Sequence, residues 1–335
     1  MSSPRSLRSI GIVGLGSVAI VAVLASLAIG TKSIPLSEVI DSFTSYNPKV
    51  TNHLVVHELR LPRTIVAGLV GIALGAAGAL MQAVTRNPLA DPGILGVNAG
   101  AAFAVVLAIW MLGVSGVSQL IWFALIGAAI ASVVVYALGS IGRGGATPVR
   151  LALAGTALSA LLFALTRAVT LIDEATLDQF RFWAVGSLSG RNSEVAWAVL
   201  PFVVVGVVMA IGVSRSLNAI GLGEEAAAGL GVRVSLVRSV AGVAIMLLCG
   251  AAVAAVGPIG FVGLVMPHVV RSFFGPDQRW IVPASALAGA GFLLLSDTLG
   301  RVIARPSEVQ VGIMTAVIGG PAFVALVRKV RMVQL

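Results

Sequence analysis

The stretch that decides the fold is residues 237–270, VRSVAGVAIMLLCGAAVAAVGPIGFVGLVMPHVV. It is apolar almost throughout, and a single helix crosses the bilayer core with about 20 apolar residues. The stretch is therefore too long for one crossing. Gly257–Pro258 lies inside it, and proline removes a backbone donor and clashes with the preceding turn. We predict a full membrane helix followed by a short one.

Other apolar runs are spread along the chain. They cover residues 10–30, 61–84, 93–113, 118–139, 148–171, 195–215, 282–297 and 309–327. Together with the divided stretch, they predict about ten membrane-spanning helices. The chain has 58% hydrophobic and 10% charged residues, whereas a soluble domain has about 25% charged residues. This composition excludes a water-soluble protein.

The apolar runs consist mainly of Ala, Gly, Leu and Val without strict alternation, which favours helices over the strands of an outer-membrane barrel. Small residues spaced four apart, such as Gly71, Gly75 and Ala79, let helix backbones approach closely in lipid. We predict an all-α polytopic membrane protein with one transmembrane domain over residues 1–335. The run at 10–30 exceeds the core of a normal secretory signal, so we expect an uncleaved first helix.

The positive charges predict an orientation. Threading ten helices with the N-terminus inside places about 13 Lys and Arg on the inner side and about 9 on the outer side, the bias that the positive-inside rule expects. We therefore predict a multi-pass protein of the cytoplasmic (inner) membrane with both termini in the cytoplasm. The net charge of +9 reflects this topology and does not indicate nucleic-acid binding.

A short internal repeat relates the two halves of the chain. Its copies are Arg63-Thr64 followed by Gly75-Ala76-Ala77, and Arg238-Ser239 followed by Gly250-Ala251-Ala252. The threading gives the two helices opposite directions, and inverted repeats of this kind are typical of transporters. The match is short and rich in small residues, so chance similarity stays an alternative.

The sequence offers neither a nucleotide site nor catalytic groups. A phosphate-binding loop ends in Gly-Lys, but none of the three lysines, Lys32, Lys49 and Lys329, follows a glycine. The predicted spans are nearly free of the Asp, Glu and His that proton-coupled carriers retain. Paired carboxylates, a Ser-His set and a metal cluster are also missing from them. We expect a non-catalytic transport subunit energised by a separate protein; a stand-alone secondary carrier or channel is the rival.

Two polar features suggest transport roles. Residues 216–238 form the longest polar-containing inner segment, and Gly223 to Gly231 within it predict a short helix with acids at its positive end, which could also be an ordinary connection. The run at 148–171 places five side chains on one narrow helical face. They are Thr156, Ser159, Phe163, Thr166 and Thr170. This face either lines a substrate path or binds neighbouring helices through its hydroxyls.

No residue is a convincing metal ligand, and no cofactor is expected. His53 and His57 have a spacing that can bind zinc, but zinc normally needs three or more protein ligands and no Cys or third His lies nearby. We expect a solvated surface pair. The single cysteine, Cys249, excludes a disulfide framework.

Several motifs in one order resemble a known family. They are Leu59-Arg60-Leu61-Pro62-Arg63-Thr64, Met81-Gln82, Arg86-Asn87-Pro88-Leu89-Ala90-Asp91-Pro92-Gly93-Ile94-Leu95-Gly96, the segment from Gly223 to Gly231, and Gly257-Pro258-Ile259-Gly260-Phe261-Val262-Gly263-Leu264-Val265-Met266-Pro267-His268. From about residue 30 to the C-terminus, the chain resembles the FecCD-type permeases of iron-siderophore, haem and vitamin B12 importers.

The resemblance implies a type II ABC importer permease fold with an inverted repeat of two five-helix halves. It also implies partners: a second permease, either another copy or a homologue, two cytoplasmic ATP-binding subunits, and an extracytoplasmic substrate-binding protein. Ferric siderophore is the expected cargo, with cobalamin and haem as alternatives. The sequence shows no chelating chemistry that selects among them.

The resemblance also assigns residues to roles. The ATPase-coupling segment would include Gly223, Glu224, Glu225, Ala226, Gly229 and Gly231. The arginines that would dock the binding protein are Arg60, Arg63 and Arg301, because a planar guanidinium holds a carboxylate through two hydrogen bonds. Arginines that snorkel at helix ends are the alternative explanation.

Overall fold

The computed structural model describes residues 4–141 and 147–333, so the extreme ends of the predicted single domain and residues 142–146 lie outside the described residues. Its helices are α1 (Pro4–Ala28), α2 (Leu36–Thr44), α3 (Thr51–Leu54), α4 (Leu61–Thr85), α5 (Val97–Leu112), α6 (Val117–Ser140), α7 (Pro148–Ile172), α8 (Glu174–Ala184), α9 (Ser193–Gly221), α10 (Glu224–Gly229), α11 (Val234–Val256), α12 (Val262–Phe274), α13 (Gln278–Ile303) and α14 (Val311–Val333). A π-helical turn, Val55–Arg60, joins α3 to α4, and a 3₁₀ turn, Pro92–Leu95, precedes α5.

The helices confirm the predicted all-α membrane fold. Within the described ranges, seven helical stretches are long and apolar enough to cross a membrane, and three shorter apolar helices correspond to α5, α12 and α14. The division of residues 237–270 is confirmed, because α11 ends at Val256 and α12 begins at Val262. Gly257 between them has φ +83°, a conformation that glycine adopts without strain.

The long helix α4 lies at the centre and packs against α9, α11, α12 and α13. Small residues make these contacts close, as predicted. A Cβ atom added at Gly75 would lie 2.0 Å from the carbonyl oxygen of Ser285, and one at Gly71 would lie 2.5 Å from that of Gly289. Ala79 is fully buried. Backbone contact of this kind replaces the hydrophobic drive that lipid cannot supply.

The bundle has two polar ends. At the Arg63 end, Arg63 at the start of α4 pairs with Asp297 of α13. At the Glu224 end, Glu224 of α10 pairs with Arg238 at the start of α11. Thr85 at the finish of α4 lines the same cavity as Arg238. The helices α4 and α11, which carry the two copies of the sequence repeat, therefore run in opposite directions.

The apolar helices fall into two sets of five: α1 and α4–α7, then α9 and α11–α14. The two sets interlock, because α4 packs on α13 of the second set while α11 packs on α6 of the first. The C-terminal end of α1 lies at the Arg63 end of the bundle, where the hydroxyl of Ser26 forms a hydrogen bond with that of Thr64. Helix α14 begins at that end, since the amide of Gly312 donates to the carbonyl oxygen of Gly186 next to the α11 terminus.

The proline-rich connection after α4 enters the bundle. Asp91 accepts a hydrogen bond from the amide of Gly93 at 2.8 Å, which caps the 3₁₀ turn. A Cβ at Gly155 of α7 would lie only 1.8 Å from the carbonyl oxygen of Ile94. These contacts give the connection a structural role, because irregular backbone inside a membrane bundle is tolerated when protein surrounds it.

Candidate functional site

A buried charge network occupies the Arg63 end. The guanidinium of Arg63 holds Asp297 by two contacts, with Nη2 at 2.7 Å from Oδ1 and Nε at 3.0 Å from Oδ2. Its Nη1 donates to Oε2 of Glu308 at 2.8 Å. Only 13% of the Arg63 side chain is exposed, and Asp297 is 1% exposed. Arg63 thus holds two carboxylates at the α4–α13 contact.

Arg301 completes this network from α13. It is 3% exposed, and its Nε lies 3.2 Å from Oδ2 of Asp297, an ion-pair distance without hydrogen-bond geometry. Nη1 donates to the carbonyl oxygen of Ser26 at 3.0 Å, and Nη2 donates to the hydroxyls of Ser26 and Thr298. Arg301 therefore connects α13 to the terminus of α1.

Arg60 lies in the π-helical turn and also points inward. It is 5% exposed, and it donates to the carbonyl oxygens of Leu27, at 2.6 Å, and Lys32. All three arginines predicted to dock the binding protein are thus occupied inside the molecule, and only Arg63 keeps a partly exposed side chain. Their docking role stays a prediction. The predicted charge pairing of a guanidinium with carboxylates is present, but with partners in this chain.

The expected solvated histidine pair is wrong for His53. This side chain is 3% exposed, its Nε2 lies 3.4 Å from Oδ2 of Asp41, and its Nδ1 accepts from the amide of Asn47 at 3.1 Å. His57 contacts the carbonyl oxygen of Ser42 through Nε2 at 2.9 Å. Helix α2 lies against both rings, so that His53 is buried and His57 is half-buried. The described residues hold no group of three or more His, Cys, Asp or Glu placed for a metal ion.

At the Glu224 end, α10 forms a short protruding helix. Gly223 has φ +121° and Gly231 has φ +79°, so glycine allows the sharp turn on each side. Ala227 is fully buried and anchors the helix, whereas Glu225, Ala226 and Gly229 are exposed. The flanking Leu222 and Leu230 are 74% and 67% exposed. An exposed apolar pair beside acidic residues is suited to contact with another protein.

Glu224 has a partner that the sequence analysis did not assign. Its Oε1 accepts from Nη2 of Arg238 at 2.7 Å. This hydrogen bond, together with the charges of Arg238 and Arg86, lowers the pKa of Glu224. The only advance signal was the repeat, because Arg238 occupies the position that Arg63 occupies in the first copy. Glu225 is exposed beside it.

The candidate pathway face of α7 is divided by its neighbours. Thr156 is exposed, Ser159 is half-buried and Phe163 is 49% exposed. Thr166 and Thr170 are each 5% exposed, and α8 packs against this helix. The three threonine hydroxyls donate to carbonyl oxygens of their own helix. The open part of the predicted face is therefore its first half, and its lining role stays a prediction.

An all-helical bundle with seven helical stretches long and apolar enough to cross a membrane, within its described residues, defines a polytopic membrane protein. Comparison with known proteins makes the class specific. The chain matches the FecCD transport family over residues 18–329, and it belongs to that family. The family consists of permeases of ABC importers, and the chain is a multi-pass membrane protein of this kind.

Relatives resemble the chain over nearly its whole length. The ferric enterobactin transport system permease protein FepD of Escherichia coli (strain K12) is 45% identical, with 96% of each chain covered. The probable siderophore transport system permease protein YfiZ of Bacillus subtilis (strain 168) is 40% identical, with 97% of each covered. The hemin transport system permease protein HmuU of Yersinia pestis is 38% identical, with 92% of this chain and 94% of that protein covered.

The fold also matches a solved structure. An inward-facing conformation of a metal-chelate type ABC transporter superposes with a TM-score of 0.84 and 29% sequence identity. The match covers 96% of this chain and 99% of that chain. The predicted type II importer permease fold agrees with this neighbour.

Proposed function

We propose that this chain is the permease subunit that carries a ferric siderophore across the cytoplasmic membrane in an ATP-driven importer. The observation that carries the proposal is full-length similarity to permeases named for siderophore and ferric enterobactin transport. Permeases named for ferric citrate and ferric hydroxamate import are 42% and 39% identical. A chelated cargo needs weak contacts and release more than a tight site, which fits a chain without a metal cluster in its described part.

Helix α10 is the surface through which a separate ATPase would act. Its exposed Glu225 and Ala226, with Leu222 and Leu230 on either side, form a contact of mixed polarity on a rigid support. The Glu224–Arg238 ion pair links α10 to α11, so a push on α10 would be passed to α11 as a rigid-body movement. Two ATP-binding subunits would serve a pair of permeases, formed from two copies of this chain or one copy and a homologue.

The proposed orientation places the Glu224 end in the cytoplasm. Ten crossings return the chain to the side where it began, so both termini are proposed to be cytoplasmic. The Arg63 end then faces the extracytoplasmic binding protein. Arg63 is the docking arginine best placed for contact, because it is the only one of the three with a partly exposed side chain. Arg60 and Arg301, which are buried deeper in the bundle, would stabilise the structure around Arg63.

Haem is the second candidate cargo, favoured by the 38% identity to the hemin permease of Yersinia pestis. Uptake of radiolabelled ferric siderophore, haem and cobalamin by cells that carry this chain with its ATPase and binding protein would separate the cargoes. Siderophore uptake that stops when ATP is depleted is the expected result. Uptake that continues without the ATPase and collapses with the ion gradient would establish a secondary carrier instead.

Charge reversal at α10 tests coupling. We expect Glu225→Arg to abolish siderophore uptake and copurification of the ATPase, because this exposed carboxylate faces outward from α10. The matched control is Glu174→Arg, an equally exposed helix-start carboxylate on α8. It should leave ATPase copurification unchanged. Equal copurification for the two variants would refute the assignment of α10.

A further inference from the structure

A cavity of about 490 Å³ lies beside α10, between α4, α6 and α11. Its walls are mainly apolar, with side chains from several helices. They are Met81, Val84, Leu95, Val133, Leu151, Val234, Val243, Ile245 and Met246. The volume falls within the range of about 300–1,000 Å³ that is typical of sites for small ligands. The transport role proposed above makes no use of this cavity.

Polar groups cluster on one side of the cavity. They include the Glu224–Arg238 ion pair and a hydroxyl pair, in which Tyr136 Oη lies 3.0 Å from Ser239 Oγ. Arg238 uses Nη2 for Glu224, but its Nε is buried and has no hydrogen-bond partner within residues 4–141 and 147–333. A buried donor on a charged group is costly to leave unpaired. The Arg238 side chain, 17% exposed, is the basic group among the residues that line this cavity.

The cavity opens sideways, between α6 and α11. Val133 and Tyr136 of α6 are 61% and 42% exposed, and Val243 of α11 is 42% exposed. Both helices are long and apolar enough to cross a membrane. In a bilayer this opening would face the lipid chains, and Arg238, near the start of α11, would lie at the headgroup level. An apolar slot that ends at a basic group matches the shape and charge of an anionic lipid.

We propose that this cavity binds one anionic phospholipid, with the phosphate on Arg238 and part of an acyl chain between α6 and α11. Basic pockets between membrane helices on the cytoplasmic side are suited to such headgroups. The phosphate and Glu224 compete for the same guanidinium. Lipid binding therefore loosens the attachment of α10 to α11. This regulatory consequence rests on the proposed coupling role of α10, whereas the binding site does not.

Lipid titration of the purified full-length chain tests the site. Delipidated protein is titrated with dioleoyl phosphatidylglycerol or dioleoyl phosphatidylcholine, and bound lipid is counted by native mass spectrometry. Glycerol phosphate serves as the headgroup without chains. We expect the wild type to bind phosphatidylglycerol at least tenfold more tightly than phosphatidylcholine, and glycerol phosphate to compete only weakly. Equal binding of the two lipids, or full competition by glycerol phosphate, would overturn the proposal.

Matched glycine variants locate the lipid. Gly242 lines the cavity, and a Cβ there meets no atom within 4 Å, which is also true of Gly212 on α9 away from the cavity. Gly242→Leu fills the slot and should weaken binding of both lipids at least tenfold, whereas Gly212→Leu should not. If Gly242→Leu fails to fold, Val243→Phe fills the same slot. Unchanged binding in a folded filling variant contradicts the site.

The headgroup contact has its own pair of variants. Arg238→Gln should remove the preference for phosphatidylglycerol, so that both lipids bind within about twofold of each other. Arg233→Gln, at an exposed arginine just before α11, should keep the preference. A preference that survives Arg238→Gln would place the headgroup elsewhere.

Discussion

The closest backbone contact in the centre of the bundle makes a quantitative prediction for Gly78→Ala. The new Cβ would lie 1.9 Å from the carbonyl oxygen of Gly263, whereas an ordinary contact is at least 3.4 Å, so α4 and α12 must separate by about 1.5 Å. Backbone atoms cannot move aside as a side chain can. Overpacking costs about 1–3 kcal/mol, and this contact belongs at the upper limit. Alanine regains about 0.5–1 kcal/mol through its helix preference.

The net expected loss is therefore about 2 kcal/mol, which corresponds to a fall of about 4–8 °C in Tm for a large domain. The assay uses the chain itself. Cys249 is the single cysteine and is 2% exposed within α11, so a thiol-reactive fluorescent dye reports unfolding during heating. The matched control is Gly68→Ala on the same helix, where the added Cβ meets no atom within 4 Å.

Gly68→Ala should keep or slightly raise the Tm, because it gains the helix preference without a clash. Unfolding of Gly78→Ala at the same temperature as Gly68→Ala would contradict this prediction, since the two variants differ only in what the added methyl group meets. A fall in both variants would also refute it, because it would mean that α4 tolerates no added methyl group, whatever its surroundings.

Two further predictions use charges. Asp297→Asn should lower the free energy of unfolding by about 3–5 kcal/mol, because it leaves Arg63 and Arg301 buried without their shared carboxylate. The control is Asp178→Asn, in a pair that is 60% exposed, which should change the free energy of unfolding by less than about 0.5 kcal/mol. Similar Tm values for the two variants would contradict this prediction. Asp277 caps α13, and hydrogen bonds, first from Arg279, lower its pKa. The stabilisation by ionised Asp277 is present above the unfolded-state pKa and is lost as pH falls through the lower folded-state pKa. The Tm of wild type should therefore exceed that of Asp277→Ala by a constant amount between pH 8 and pH 5, and by less below about pH 4. A difference in Tm that is unchanged at pH 3 would be evidence against this prediction.

The sequence predicted the helices well because membrane spans are specified locally. A bilayer sets their length, and a break such as Gly257–Pro258 acts on its own neighbours, so α11 and α12 were separable in advance. The small residues of α4 predicted close packing, but not its partners. Only the folded chain shows that Gly71 and Gly75 face α13 while Gly78 faces α12.

Burial of charged side chains was not predictable in the same way. Arg60 and Arg301 are covered by the terminus of α1, which lies far from both in sequence and contacts them through backbone oxygens. Backbone acceptors leave no mark in a residue pattern. His53 is covered by α2 through the side chain of Asp41, a contact that helical spacing does not reveal. Helical periodicity placed Thr166 and Thr156 on one face, although their burial differs. The spacing of residues along a helix determines which side of the helix a side chain points to. The helices packed against that side determine whether the side chain is buried.

The repeat explains why Arg63 and Arg238 have matching surroundings. Each arginine pairs with a carboxylate, and the hydroxyl that follows it bonds a hydroxyl of a neighbouring helix. Thr64 bonds Ser26 of α1 at 2.8 Å, and Ser239 bonds Tyr136 of α6 at 3.0 Å. The same two contacts, an ion pair and a hydrogen bond between hydroxyls, thus occur at opposite ends of the antiparallel helices α4 and α11.

The two halves differ in how closely the helices that carry the repeat pack against their neighbours. At the α4–α13 contact, a Cβ at Gly75 would lie 2.0 Å from backbone, whereas at the α11–α6 contact a Cβ at the equivalent Gly250 would lie 3.5 Å from Ala128. Arg63 has a second carboxylate partner, Glu308, whereas the Glu224–Arg238 pair lines a cavity of about 490 Å³. Closely packed interiors transmit strain and resist it. We therefore expect a movement that opens one end of the bundle to occur between α6 and α11, beside the helix proposed to receive the ATPase.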